Sequence, residues 1–352
     1  VTVPLFYHKD FSQFDFGQFH PFRGNRFSAF MTRFREMGLG SNGDFEIVEP
    51  PEATDQDLER VHSREYIKIV KMMEDRRGYL SPDTQVQPGM IHASRLIWGS
   101  AIEGTRMALR GRTDLALGFG GFHHAGVSSG EGFCLFNDVA GAARLAIDEF
   151  GVERVMILDT DAHQGNGTME IFYKDPRVLF VSLHQDPGTI YPGKGFVEDT
   201  GELRGKGYTV NLCMPPMSGT LEYAAAFDRV VDPLAKQFRP QFIIRNGGSD
   251  PFWGDELTNL GLDMAGLTYV AERVREVSKR SGAPQLDLTA SGYGRHVIEG
   301  WLALFRGTTG IDIDIKEPPM PMDMDEGREN VRDRTERMLD RLYGHLSDHW
   351  DV

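Results

Sequence analysis

The 352-residue chain is 40% hydrophobic and 26% charged, a balance that supplies a sizeable core and excludes general disorder. Its 38 basic and 52 acidic residues leave a net charge of −14; this argues against a broad nucleic-acid footprint and suits a cationic substrate better than an anionic one. Cys134 and Cys213 are the only cysteines, too few for a disulfide framework, a four-cysteine zinc site or an iron–sulfur cluster, so a metal must be held by His, Asp or Glu.

The opening stretch VTVPLFYHKDFSQFDFGQFHP carries polar and charged residues where a signal peptide needs an apolar run, and no stretch approaches the ~20 apolar residues of a membrane span. The expectation is a cytoplasmic protein without membrane or nucleic-acid partners. In chain order, apolar spacing of three and four predicts helices over 56–74, 91–110, 137–150, 221–237, 267–280 and 296–306. Between them lie short apolar runs rich in β-branched residues at 115–119, 155–158, 178–183, 242–244 and 286–289. Each is followed by glycine and polar residues, the pattern of parallel βα units. In such sheets ligands sit beyond the carboxyl ends of the strands, where distant loops converge.

EPPMPM at 317–322 reads as a stiff, extended connector. Beyond it Val331, Thr335, Met338, Leu339, Leu342 and Leu346 share one helical face, which predicts a helix that packs back on the domain or on a partner. The acidic approach DMDE at 323–326 reads as solvated. The chain is thus expected to hold a catalytic domain over 1–316 and a connector with its helix over 317–352.

The strand ends carry the chemistry. VMILDTDAHQGNG sets Asp159, Asp161 and His163 at period two, which would turn the three side chains to one side of an extended backbone. Asp250, closing QFIIRNGGSD, is flanked by glycines that admit a close approach. With Asp161 and His163 it would complete a two-Asp, one-His site with an open position, the donor set of a catalytic divalent metal. His123 and His124, in GFGGFHHAG, suit acid/base work near neutral pH, and Asp159 could fix the tautomer of one of these rings. Tyr293, in SGYG, could donate to a developing oxyanion. Together these groups predict metal-assisted hydrolysis, with no nucleophilic serine or cysteine required. A Walker-type loop is absent, and so is the acidic partner of a dinucleotide fingerprint.

These motifs, in order, resemble the zinc-dependent histone deacetylase family and its bacterial relatives, the acetoin-utilisation-type proteins and acetylpolyamine amidohydrolases. The likeness starts at His20, Pro21 and Arg26 in FDFGQFHPFRGNR, continues through VHSREYI, GFHHAG, GFCLFND, ILDTDAHQGNGT and VSLHQDPGTIYPG, and ends near SGYG. The resemblance implies the arginase/deacetylase fold, a single α/β domain around a mostly parallel sheet of about eight strands. It implies Zn²⁺ on Asp161, His163 and Asp250, although Fe²⁺ or Co²⁺ would suit the same ligands. His123 and His124 would be the tandem catalytic histidines and Tyr293 the tyrosine that grips the acyl carbonyl. Gly132, Phe133 and Tyr191 would line the acyl-lysine tunnel, with Leu257 near its rim. A first potassium site would use Asp159, Asp161, His163, Ser182 and Leu183; a second, Phe172, Asp175, Val178 and Tyr208.

Asn166 departs from the class I pattern, which has an aspartate beside the second histidine; class II enzymes commonly carry asparagine. Gln164 replaces a frequent second histidine, and SGYG a glycine-richer run. Gly165 and Phe252 stand where arginases place metal-bridging carboxylates, so one catalytic ion is expected. The implied activity is removal of acetyl or another short acyl group from N-ε-acyl-lysine with release of acetate. The alternatives are an acetylpolyamine or other small-amide hydrolase and, in another class, a catalytically silent acyl-lysine-binding or scaffold protein; a homo-oligomer stays open.

Overall fold

The computed structural model describes residues 2–320 and 328–351; the end of the proline-rich connector and the acidic approach, 321–327, lie outside the described residues. In chain order the elements are β1 (Val3–Phe6), α1 (Asn25–Glu36), β2 (Phe45–Val48), α2 (Asp55–Leu58), α3 (Arg64–Arg76), β3 (Tyr79–Ser81), β4 (Thr84–Gln85), α4 (Met90–Leu109), β5 (Leu115–Gly118) and α5 (Asp138–Phe150). There follow β6 (Val155–Asp159), α6 (Asn166–Phe172), β7 (Val178–Gln185), β8 (Thr209–Met214), α7 (Thr220–Ala226), α8 (Asp232–Phe238), β9 (Phe242–Gly247), α9 (Met264–Ser281), β10 (Gln285–Thr289), α10 (Val297–Thr309) and α11 (Arg328–Leu346). Eight strands form a parallel sheet in the order β2-β1-β5-β10-β9-β6-β7-β8, and β3 pairs with β4 in a separate hairpin.

The chain divides into two compact units. The first comprises Val1–Val152, Gly165–Ile171 and Pro284–Ala290. Its sheet pairs Leu5 of β1 with Ile47 of β2 and Leu117 of β5, and Leu286 of β10 with Ala116. Helix α4 is apolar on nearly every side and correspondingly buried. It lies close to its neighbours because glycines leave room: a Cβ at Gly104 would sit 2.7 Å from Leu286, and one at Gly99 would overlap the Pro51 carbonyl. A phenylalanine cluster fills the N-terminal side, where Phe119 meets Phe11, Phe27 and Phe30 edge to face.

The second unit comprises Glu153–Gln164, Phe172–Ala283 and Ser291–Val352. Its strands β6, β7, β8 and β9 are buried along their whole length, as expected for parallel strands covered on both faces. Helix α11 buries Leu339, Leu342 and Leu346 completely. Arg229 fastens it by donating to Asp340 at 3.0 Å, to the Tyr343 hydroxyl at 3.0 Å and to Glu336.

The five apolar runs all become strands of the sheet. The helix expected over 56–74 is two helices instead, because Thr54 caps α2 with Asp57 in a reciprocal box and Ser63 caps α3 by accepting from Tyr66 N. The segment expected over 221–237 runs from α7 through a wide turn at 227–231 into α8.

Candidate metal centre and catalytic histidines

In the second unit, β6 ends at Asp159, so Asp161 and His163 lie past the strand rather than on it. Their convergence comes not from period-two alternation along a strand, as expected from the sequence, but from an Asx-type turn, with His163 N donating to Asp161 Oδ1 at 2.8 Å. Asp161 N in turn points at Asp159 Oδ1, 3.3 Å away, and Asn246 Nδ2 donates to the same oxygen at 3.1 Å. Asp250 arrives from the loop after β9. There Gly247 has φ +143° and its Cβ would lie 2.7 Å from Thr160 Oγ1, so a side chain is excluded. Ala162 N donates to Asp250 Oδ2 at 3.1 Å and Ser291 Oγ to Asp250 Oδ1 at 2.9 Å.

Ligand atoms of Asp161, His163 and Asp250 all fall within 4.8 Å of one another, the one such group of His, Cys, Asp or Glu among the described residues. His163 Nδ1 lies 3.2 Å from Asp161 Oδ1 and 3.1 Å from Asp250 Oδ2. All three residues are buried. Burial lowers the pKa of the His163 imidazole, but hydrogen bonds and charges from Asp161 and Asp250 outweigh it and push the value up to about 10. Burial, reinforced by the Asp161 charge, holds Asp250 well above the usual carboxylate range. Two water-excluded carboxylates facing one imidazole nitrogen thus call for a compensating positive charge, and a divalent cation fits that need.

Tyr293 belongs to the same unit and is held by its backbone: its N–H donates to Asp255 Oδ2 at 2.6 Å, between Gly292 and Gly294 at φ +122° and +94°. Its ring stands 6.3 Å from that of His163, at 90°. Burial pushes the Asp255 carboxyl up to about 7 against bonds from Leu257 N and Tyr293 N. Leu257 and Tyr191 are partly exposed. Asp159 is in register with Ser182, beside Leu183 on β7. The Phe172 and Asp175 carbonyls accept from Asp175 N and Val178 N, and the Tyr208 carbonyl accepts from Phe180 N.

In the first unit, His123 and His124 follow β5, with ring centroids 4.2 Å apart, and both are buried. His124 Nδ1 lies 2.7 Å from Asn166 Oδ1, the partner the sequence departure pointed to. Asn137 Nδ2 donates to the His123 and Ala125 carbonyls at 3.2 and 3.0 Å. Asn137 N donates to His62 Nε2 at 2.9 Å, so His62 donates from Nδ1 to the Gly126 carbonyl at 2.9 Å; burial lowers the His62 pKa to about 4 and keeps the ring neutral. Gly132 and Phe133 have φ +58° and +67°, and the Phe133 ring meets His20 at 4.4 Å. Arg26 donates to the Pro21 and Ala290 carbonyls, both at 3.0 Å.

Asp138 clamps the loop ahead of the histidines, accepting from Gly121 N at 2.8 Å and Phe122 N at 2.7 Å. Burial nonetheless pushes its carboxyl up to about 6. A folded-state value raised above the unfolded one adds stability that is complete below about pH 4 and lost as pH rises through about 6. We therefore expect the stability difference between wild type and Asp138→Asn, measured by urea unfolding, to move by about 3 kcal/mol in the variant's favour between about pH 4 and about pH 7. A pH-independent difference would refute the assigned burial effect.

Sequence reasoning did not single out Asp138, Asn137, His62 or Asp255. Their roles depend on which backbone N–H or carbonyl they meet, and only Asn137, at a helix start, carried a local signal.

Comparison with known proteins matches residues 20–307 to the histone deacetylase domain. A probable deacetylase of Archaeoglobus fulgidus is 32% identical over 327 residues, covering 90% of this chain and 89% of that protein. A histone deacetylase-like amidohydrolase of Pseudomonas aeruginosa is 34% identical over 284 residues, covering 79% and 74%. The crystal structure of the HDA15 HD domain matches with a TM-score of 0.82 at 28% identity, covering 98% of this chain and all of that one. The likeness is that of one α/β domain with an eight-stranded parallel sheet. Sequence motifs, fold and relatives agree: the chain belongs to the histone deacetylase family of deacetylases and amidohydrolases.

Proposed function

We propose that the chain is a zinc-dependent deacetylase that hydrolyses N-ε-acetyl-lysine, or lysine carrying another short acyl group, and releases acetate. The observation that carries this reading is the buried meeting of Asp161, His163 and Asp250. These three would hold the ion; two carboxylates and an imidazole suit Zn²⁺, and Fe²⁺ or Co²⁺ after it. When bound, the ion supplies positive charge that polarises an amide carbonyl and acidifies water.

The chain's own groups do the rest. His123 and His124 accept the proton of the attacking water and return one to the leaving amine, with Asn166 orienting the His124 ring. The Tyr293 hydroxyl donates to the oxyanion as the carbonyl becomes tetrahedral. Gly132, Phe133 and Tyr191 receive the lysine methylenes, with Leu257 at the rim. Oxygens of Asp159, Asp161, Ser182 and Leu183, with His163, would hold a structural potassium ion, and those of Phe172, Asp175, Val178 and Tyr208 a second. Catalysis resides in 1–316, and the segment 317–352 serves as connector and packing helix.

Net charge −14 favours cationic substrates in general, while the uncharged Leu257 supports lysine over a polyamine. The deciding experiment compares kcat/KM for an acetyl-lysine peptide and acetylspermidine with the zinc-loaded protein. We expect the peptide to be the better substrate by at least about tenfold, roughly 1.4 kcal/mol of transition-state binding. Preference for the polyamine would overturn the substrate assignment, and no acetate from either, with any metal, would favour a binding protein.

A further inference from the structure

A histidine that must handle protons is useful only if the correct nitrogen carries the hydrogen. His124 Nδ1 faces Asn166 Oδ1 at 2.7 Å, but an amide can turn either its oxygen or its NH₂ toward a ring. The pair alone does not decide between the two arrangements. An aspartate there would, because a carboxylate only accepts.

The deciding group stands on the other side of the asparagine. Asn166 Nδ2 donates to Glu131 Oε1 at 2.6 Å. An ionised carboxylate cannot donate, so the amide must show its NH₂ to Glu131 and its oxygen to His124. His124 Nδ1 is then obliged to donate, and in the neutral ring Nε2 keeps its lone pair. This follows from chemistry, whichever way the amide is drawn. The same charge polarises the amide and makes Oδ1 a stronger acceptor.

The backbone holds the three groups in place. Gly132, next to Glu131, has φ +58°, and a Cβ there would lie 2.4 Å from His124 Cδ2. Gly167, next to Asn166, would bring a Cβ within 2.3 Å of the Ala125 carbonyl oxygen. Both neighbours of the relay thus lie against the histidine segment itself, with no room for a side chain between them.

We propose that Glu131 is a positioning residue: acting through Asn166, it fixes the tautomer of His124 and supplies the carboxylate that an asparagine in this place lacks. The catalytic consequence rests on the role given to His124 above, whereas the tautomer itself does not.

The test is a mutant cycle read by nitrogen-15 NMR of the histidine rings at about pH 8, where an ordinary imidazole is neutral, and by kcat and KM on an acetyl-lysine peptide. In Glu131→Leu the amide is free to flip, so a substantial share of His124 moves to the Nε2–H form; kcat falls roughly tenfold, the low end of what lost outer partners of metal-bound histidines cost, with KM nearly unchanged. Glu131→Gln, which still offers an acceptor oxygen, retains most of the Nδ1–H form. In the Asn166→Asp background the ring faces a carboxylate regardless, so Glu131→Leu leaves the tautomer unmoved and does not lower kcat. An unshifted tautomer in Glu131→Leu overturns the proposal whatever the substrate is. An equal loss of kcat in both backgrounds also overturns it, since that is the mark of a merely structural contact. A shifted tautomer in a protein that hydrolyses no acyl donor would sustain the positioning role and refute the deacetylase assignment instead.

Discussion

Stripping divalent metal with a chelator is expected to abolish acetate release and to lower Tm by about 5–10 °C, with both restored by Zn²⁺. The basis is the buried triad, in which Asp161 and Asp250 face each other across a single imidazole nitrogen. Leaving paired carboxylates in a water-excluded site without a cation costs several kcal/mol. An ion present at a thousandfold its Kd stabilises the folded state by about 4 kcal/mol, which in a chain of this size is a shift of a few degrees per kcal/mol at most. The metal-free protein answers by holding a proton on His163, whose pKa is raised to about 10 by its two carboxylate neighbours against the opposing effect of burial. Zinc titration of the stripped protein near pH 8 should therefore release protons, observable in a weakly buffered solution. Unaltered Tm and turnover after verified metal removal would end the metal-centre reading.

The second large effect is expected from Tyr293→Phe. Removing the hydroxyl should lower kcat by roughly 10²–10³, about 2.7–4 kcal/mol of barrier, as when other oxyanion donors are lost. Zinc content and Tm should stay near wild type. The loop supports this separation, because Tyr293 is anchored through its backbone N–H to Asp255 and shaped by Gly292 and Gly294, none of which needs the phenol oxygen. Kinetics and metal analysis on one preparation decide the matter; full turnover in the variant would remove Tyr293 from the reaction.

Much of the sheet is legible in the sequence because strands buried on both faces read as unbroken apolar runs, as at VMIL in β6 and FII in β9. The strands that escape such reading are of another kind. β2 is an edge strand, FEIV, with Glu46 exposed; β1 contains a proline; β8 interrupts its apolar residues with Asn211. Helix α1 carries Phe27, Phe30, Met31 and Phe34 at helical spacing, but the glycines and prolines ahead of it suggest loop. The candidate metal ligands are legible as residue types at strand ends, yet their convergence follows from a turn that period-two reasoning does not describe. Asp138, and the bond that ties Asp255 to Tyr293 N, are illegible for a deeper reason. A carboxylate that serves backbone amides far away in sequence leaves no spacing to read, and its purpose appears only once the chain has folded around it.

The turn after β6 has a consequence for redesign. Asp161 accepts from His163 N and Asp250 accepts from Ala162 N, so each carboxylate braces the very backbone that presents the donors. Exchanging either for a softer donor, in order to recruit a different element, would loosen the scaffold along with the ligand.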